Sequence, residues 1–377
     1  YELVNNATRE IVGEENLLTE DLSNIVDLGD KVIGTKAVEN FVRTLVDHIG
    51  RVIFVNRSYK GYAPSVLMDG WEYGSILEKI SGSMPEAREN ETWQLEDGKS
   101  YDPNVFYQPK VQAKFFNSKT TFEVDQSFTE RQVKSAFSSA TQMNAFLSML
   151  QNEVEKALTI KSDSLVMRTI NNMTAQTILS GGQRVINLLS LFNTAYANKL
   201  TAPLTAQEAI YTPEFIRYAS YIMSLYVKRL ANMSTAFNMG GQRRFTPTND
   251  LHIVLLDEFD KSSNIFLQSD VYHNELTKLP KAETVAFWQG SGSNFNYTDT
   301  SSINVRVKSE DDANGKEVQQ SGILGVMFDR EALGVCNIDR RVTTNYNPKA
   351  EFFTNFHKYE AGYFNDGDEN FIVFIAN

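Results

Sequence analysis

The residues of this chain that could do chemistry begin with an acidic pair, Asp257–Glu258, which follows the apolar run Ile253–Leu256. In nucleotide hydrolases an Asp at a strand end holds Mg²⁺ and the Glu after it activates water, so IVLLDEFD is the pattern to test. That chemistry also needs a glycine-rich phosphate cradle opening a helix, with a Lys and a hydroxyl residue behind it. The one GKS, Gly98–Lys99–Ser100, has Trp93 where the cradle's first Gly should stand, and no helical pattern follows it. Gly315–Lys316 is followed by Glu317. The plainer account of 253–260 is a core strand running into a helix whose first turn carries acids suited to the positive end of its dipole.

Other chemistries find even less. His48, His252, His273 and His357 contain no pair at the spacing of a helical metal motif, and no G-x-S-x-G elbow is present. Cys336 is the only cysteine, which excludes an internal disulfide framework and a Cys-based zinc site and fits a reducing place of assembly. GSGSN at 290–294 lacks the G-x-G-x-x-G spacing and a following helix, so it reads as a turn. A pair of carboxylates flanking a sugar, as in glycosidases, is left open by sequence. No catalytic residue, cofactor or metal ligand is therefore expected. The net charge of −11 removes any broad surface for wrapping nucleic acid. The densest cationic groups, Arg243–Arg244 and Arg340–Arg341, sit outside any Lys/Arg run.

With no catalytic cluster to position, the elements themselves become the subject. At 377 residues the chain is long enough for two or three packed units. Residues 1–50 read as a polar arm with two short helices, one capped by Thr19 and one by Thr35. Strand-like sequence starts at Arg51. An extended, charged, aromatic-rich ribbon at about 91–126 carries Tyr101, Phe106, Tyr107, Phe115, Phe116 and Phe122, residue types enriched at interfaces. The ribbon runs straight into a helical pattern free of Pro and Gly from Ser138 to Ser180, with Met143, Phe146, Leu147, Leu150, Val154, Leu158, Leu165, Val166, Ile170 and Met173 as its apolar stripe. Unbroken, that helix would span about 60 Å. Gly181–Gly182 should end it, and the polar group Lys161–Ser164 marks a place for a kink. A helix-rich unit follows, with Thr212 as a cap and Pro213 at a first helical position. The end of the chain is strand-rich and closes on FIVFIAN. No run of 18 apolar residues, signal peptide or lipidation motif is seen. What precedes Tyr1 stays open.

This order of parts resembles the major capsid proteins of tailed double-stranded DNA bacteriophages, the Hong Kong 97 fold, and most of all those of short-tailed phages. The resemblance rests on the arm (1–50), on the ribbon (about 57–126), on the helix region SFTERQVKSAFSSATQMNAFLSMLQNEVEKALTIKSDSLVMRTINNMTAQTIL, and on the tail, where NP, AGYF, a turn and a strand follow in order. It implies an α+β fold: an N-terminal arm (1–50), an extended β-hairpin loop with flanking strands (51–126), a peripheral domain with a spine helix (127–182), a mixed axial domain (183–335), and C-terminal strands returning to the peripheral domain (336–377). It implies a structural protein, not an enzyme, that self-assembles into hexamers and pentamers of an icosahedral or prolate head. Its partners would be its own copies, a scaffolding protein, a portal and packaged DNA enclosed without sequence-specific binding, with no membrane. Assembly would take place in the host cytoplasm, and the virion capsid would be its location. The ribbon aromatics named above, with Arg340 and Arg341, become candidate contacts between subunits. Cross-linking known in some relatives needs a Lys, Asn and Glu arrangement that nothing selects among Lys99, Lys110, Lys114 and Lys119, so none is expected. A nanocompartment shell of the same fold, a nucleotide hydrolase using Asp257 and Glu258, and a glycan-binding fibre module are the competing readings.

Overall fold

The structure is a computed structural model, and it describes residues 66–68, 77–82, 96–100, 104, 106, 108, 111–129, 131–132, 140–200, 202–268, 282–289, 297–309 and 312–377. The expected arm with its two helices, the strand-like 51–65, His48, His273, Tyr101 and Tyr107 lie outside the described residues. In chain order the elements are β1 (Leu67–Met68), β2 (Leu77–Gly82), β3 (Val111–Phe116), β4 (Lys119–Thr129), α1 (Ala140–Ser180), β5 (Val185–Asn187), α2 (Leu188–Ala195), α3 (Pro213–Leu230), β6 (Leu251–Leu256), α4 (Asp257–Gln268), β7 (Glu283–Val285), β8 (Ile303–Ser309), β9 (Asp312–Gln320), β10 (Ile323–Asp329), β11 (Leu333–Asn347), β12 (Phe352–Asn365) and β13 (Phe371–Ile375), with short helical turns between some of them.

Two sheets carry the body. The first has the order β1-β11-β12-β4 and the second β5-β13-β10-β6-β7. In the first sheet, burial alternates along β12: Phe353, Asn355, His357 and Tyr359 are buried, while the residues between them are half-exposed. Period two of this kind marks a sheet with one covered face. Phe128 and Tyr346 flank Phe353 at ring separations of 5.7 and 4.7 Å, and the cover is α1, which packs on β4, β11 and β12. On the open face Lys358 pairs with Glu123 at 3.2 Å and Lys119 with Glu360 at 2.9 Å.

The second sheet reads differently because both of its faces are covered. Every residue of β10 and of β13 is buried, so their sequences, ILGVMFD and FIVFI, are nearly continuous apolar runs. Residues 336–377 were expected to form one peripheral unit; hydrogen bonding divides them. β11 and β12 stay in the first sheet, whereas β13 lies between β5 and β10 at the centre of the second. The apolar run fits it, since β13 is buried along its whole length between strands of the second sheet.

α1 is continuous for 41 residues, straight through the polar stretch where a kink was expected. Gly181 and Gly182 end it at φ 61° and 78°, a left-handed conformation that favours glycine. The amphipathic stripe describes only its earlier part. From Leu165 to Thr177 the helix is buried on several sides, including Thr169, Asn171, Thr174 and Thr177, because it packs against the first sheet and also against β8, β9 and β13. Thr169 and Thr177 satisfy their buried hydroxyls by donating to the carbonyls of Leu165 and Met173, both at 2.8 Å. The side chains of Met143, Phe146, Leu147 and Leu150 are outside the described residues. At α3, Thr212 occupies the N-cap position and Pro213 the first helical one, but the Thr212 hydroxyl donates to Glu208 O at 2.9 Å rather than accepting from the helix.

Candidate functional site

The ribbon is shorter than its sequence suggests. β2 and β3 form a separate two-stranded hairpin, while residues 119–129 leave it and join β12 in the body sheet. Phe122 is thereby stacked on Tyr359 at 6.1 Å within its own chain, and Phe116 lies 5.2 Å from Phe364. In the hairpin, Leu77 faces Phe116 and Lys79 faces Lys114 on one side, so Ile80, Ala113, Phe115 and Val111 fall on the other.

The inner side is anchored by charge. Lys114 Nζ lies 2.7 Å from Asp366 Oδ1 and 2.5 Å from Asp368 Oδ2. Lys79 Nζ reaches Asp366 Oδ2 at 3.0 Å, Glu369 Oε1 at 2.8 Å and Glu331 Oε2 at 3.2 Å. Arg244 approaches Glu369 from the far side at 3.3 Å. Three of these four carboxylates, Asp366, Asp368 and Glu369, come from the turn 366–370 that leads from β12 in one sheet to β13 in the other, and Glu331 lies between β10 and β11. Segment 237–241 grips this turn: Met239 N and Gly240 N both donate to Gly367 O, at 2.7 and 3.0 Å. A Cβ on Gly240 would stand 1.8 Å from Asp368 Oδ1, so glycine there is a matter of close approach.

The clamp is half-buried, and its charges answer one another. Burial alone would raise the Asp366 carboxyl, but hydrogen bonds from Lys114, the Asp368 N–H and Lys79 outweigh it and hold the group below its usual range. For Glu369, burial outweighs the Lys79 bond and the carboxyl is raised. Both lysines are raised: burial works against their charge, and the hydrogen bonds with Glu369, Asp366 and Asp368 more than offset it.

The outer side of the hairpin, where the register also places Glu78, carries three open apolar side chains. Ile80, Val111 and Phe115 are 67%, 61% and 64% exposed, and Phe106 is 83% exposed. Arg340 and Arg341 point to opposite faces of the first sheet. Arg340 lies over the Tyr359 ring at 5.4 Å, and Arg341 stands on the open face, 3.8 Å from Asp339. Of the residues that sequence offered as contacts, the structure thus brings Phe106 and Phe115 to the surface and engages Phe116, Phe122 and Arg340 with the chain itself. Sequence reasoning missed Ile80 and Val111, and it missed the clamp. The available signal was NDGDEN, 365–370: three carboxylates in six residues that need cations from elsewhere.

The acidic pair after β6 has no phosphate cradle beside it among the described residues. Asp257 pairs with Lys261 one helical turn on at 3.5 Å, and Glu258 accepts from the Thr300 hydroxyl at 2.9 Å. Lys99 is a surface residue 3.8 Å from Glu96. This is a buried strand running into a helix with acids in its first turn. Among the described residues no three His, Cys, Asp or Glu converge to hold a metal. A cleft of about 600 Å³ opens beside the clamp, where three arginines, Arg243, Arg244 and Arg330, face four carboxylates, so it offers an anion no net attraction.

The body is α+β, with a long helix packed against both sheets and an anchored ribbon open on its outer side. Among solved structures, a capsid protein of Staphylococcus phage Andhra matches with a TM-score of 0.53 at 11% identity, covering 86% of this chain and 87% of that one. A chain from the native bacteriophage P68 structure with head fibre and inner core protein gp22 matches at 0.49 and 8% identity, covering 86% of each chain. The capsid structure of cyanophage P-SCSP1u matches at 0.47 and 13% identity, covering 86% of this chain and 90% of that one. No curated protein matches in sequence. The family model for the Phi29-like phage major capsid protein matches residues 4–375, and the chain belongs to that family.

Proposed function

We propose that the chain builds a closed phage head in which the outer side of the ribbon lies against a second copy. The carrying observation is the two-sidedness of the β2–β3 hairpin: one side is fixed to its own body by ion pairs, while Ile80, Val111 and Phe115 stand open on the other. A row of apolar side chains left open among the described residues is what an interface requires. Each such contact can be weak, because a subunit in a hexamer or pentamer makes many and closure multiplies them. A net charge of −11 keeps the wall from gripping packaged DNA. Scaffolding protein, portal, genome and assembly in the host cytoplasm complete the reading as partners and place.

The test compares the parent chain with Phe115→Asp by sedimentation and electron microscopy, with and without a scaffolding protein. The parent should form shells or capsomers, and the variant should stay a folded, soluble subunit with an unchanged melting temperature. A parent chain that stays monomeric at high concentration ends the reading, and a variant that assembles normally removes the ribbon from it.

A further inference from the structure

The clamp contains an arrangement that no isolated hairpin should favour. Lys79 and Lys114 are cross-strand partners on one side of the β2–β3 ribbon, two like charges directly opposite each other. Their counter-charges are remote in sequence: Asp366 lies 252 residues beyond Lys114, and Glu369 lies 290 beyond Lys79. Those carboxylates sit on a turn that several separate events must place. Asp366 N donates to Ala332 O at 2.7 Å as β12 ends, Gly367 O accepts from Met239 and Gly240, and Phe371 N donates to Phe237 O at 2.9 Å as β13 begins. The turn therefore exists in this form only when the first sheet, the second sheet and segment 237–241 have all met.

We propose that the clamp is a completion check: the ribbon is fixed in its interface-bearing position only after the turn 366–370 is formed, so partly made or partly folded subunits are kept out of assembly. Before that, the lysine pair has only Glu331 as counter-charge and the docked ribbon is unfavourable. Afterwards both ammonium groups are held by two carboxylates or more, and the open row on the opposite side is presented in one orientation. The link to assembly rests on the shell reading above; the clamp itself does not.

The experiment separates the two. Full-length chain, kept unassembled by dilution, receives a brief pulse of an amine-acylating reagent, and each lysine is read by mass spectrometry. Lys79 and Lys114 should label at least about tenfold more slowly than Lys99 and Lys261, whose side chains are 50% and 66% exposed. In Asp366→Asn/Asp368→Asn, Lys114 loses both of its carboxylates and should label at the rate of Lys99, Lys79 keeps Glu369 and Glu331 and should quicken less, and shell yield should fall several-fold. Adding Lys79→Met/Lys114→Met to that variant removes the repulsion and should restore shells. If the Asn pair does not fold, Asp368→Asn alone serves in its place: it removes one of the two carboxylates that hold Lys114, which should label several-fold faster than in the parent. A Lys114 that stays slow in these variants, or shells that form at full yield once Lys114 is released, overturns the proposal. Protection and release of the lysines in a parent chain that never assembles would uphold the clamp and sink the shell reading instead.

Discussion

At the scale of single residues, His357 isolates one consequence of burial. It is 2% exposed in the centre of β12, and neither ring nitrogen has a hydrogen-bond partner among the described residues. Burial lowers its pKa from 6.5 to about 4. The folded chain thus keeps the ring neutral while the unfolded chain protonates it below 6.5, so the stability that the neutral ring preserves is lost as pH falls from 6.5 towards 4. The loss amounts to about 3 kcal/mol at the low end of that window. Asp366 acts lower down: its carboxyl is depressed, so its contribution is present above its unfolded value of 3.8 and goes only as pH falls through the folded one. His357→Phe should remove much of the decline between pH 6.5 and 4.5, read as melting temperature against pH beside the parent. Parallel curves would mean that the ring is hydrated or paired after all. None of this was legible in the sequence, where His357 is one of four isolated histidines and its partners are set by register with β4 and β11. The Asp257–Glu258 pair shows the reverse, since the sequence read it as acids in the first turn of a helix after a core strand, and that is where it stands.

Among the elements, legibility followed how local the cause is. The length of α1 and its end at Gly181 follow from short-range rules, the absence of Pro and Gly and then two glycines at positive φ, and these the sequence displayed. Its surroundings did not follow, because an amphipathic pattern describes a helix with one buried side and α1 is covered on several sides after Leu165. The ribbon's end was misjudged for a similar reason: residues 119–126 alternate like any strand, and only their pairing with β12 assigns them to the body. The two regimes of α1 predict different sensitivities. Ile170 is fully buried, so Ile170→Ala should cost about 2–5 kcal/mol, whereas Ile160, 67% exposed, should tolerate alanine at under about 0.5 kcal/mol. Denaturant unfolding of both variants decides it. Equal effects would mean that the helix is covered along its whole length, by another copy or another segment.

For the whole molecule, the question is whether two sheets with different burial patterns behave as two domains or one. The chain crosses between the sheets at the clamped turn from β12 to β13 and at residues 330–332 from β10 to β11, and α1 packs against strands of both. A turn held by the ribbon's lysines, by segment 237–241 and by both flanking strands cannot relax in one sheet without disturbing the other. The sheets should therefore unfold together, even though the sequence suggested units divided near 182 and 335. Phe374→Ala tests this, because Phe374 is fully buried at the centre of the second sheet and its truncation should cost about 3–5 kcal/mol. If the turn couples the sheets, that loss reaches the amides of β4 and β12 in the first sheet, whose slowest hydrogen exchange should accelerate by the same free energy as that of β10. Protection in β4 and β12 that survives while β10 exchanges would make the sheets independent. A ribbon anchored at their junction would then be fixed by the turn's local geometry and not by the fold as a whole.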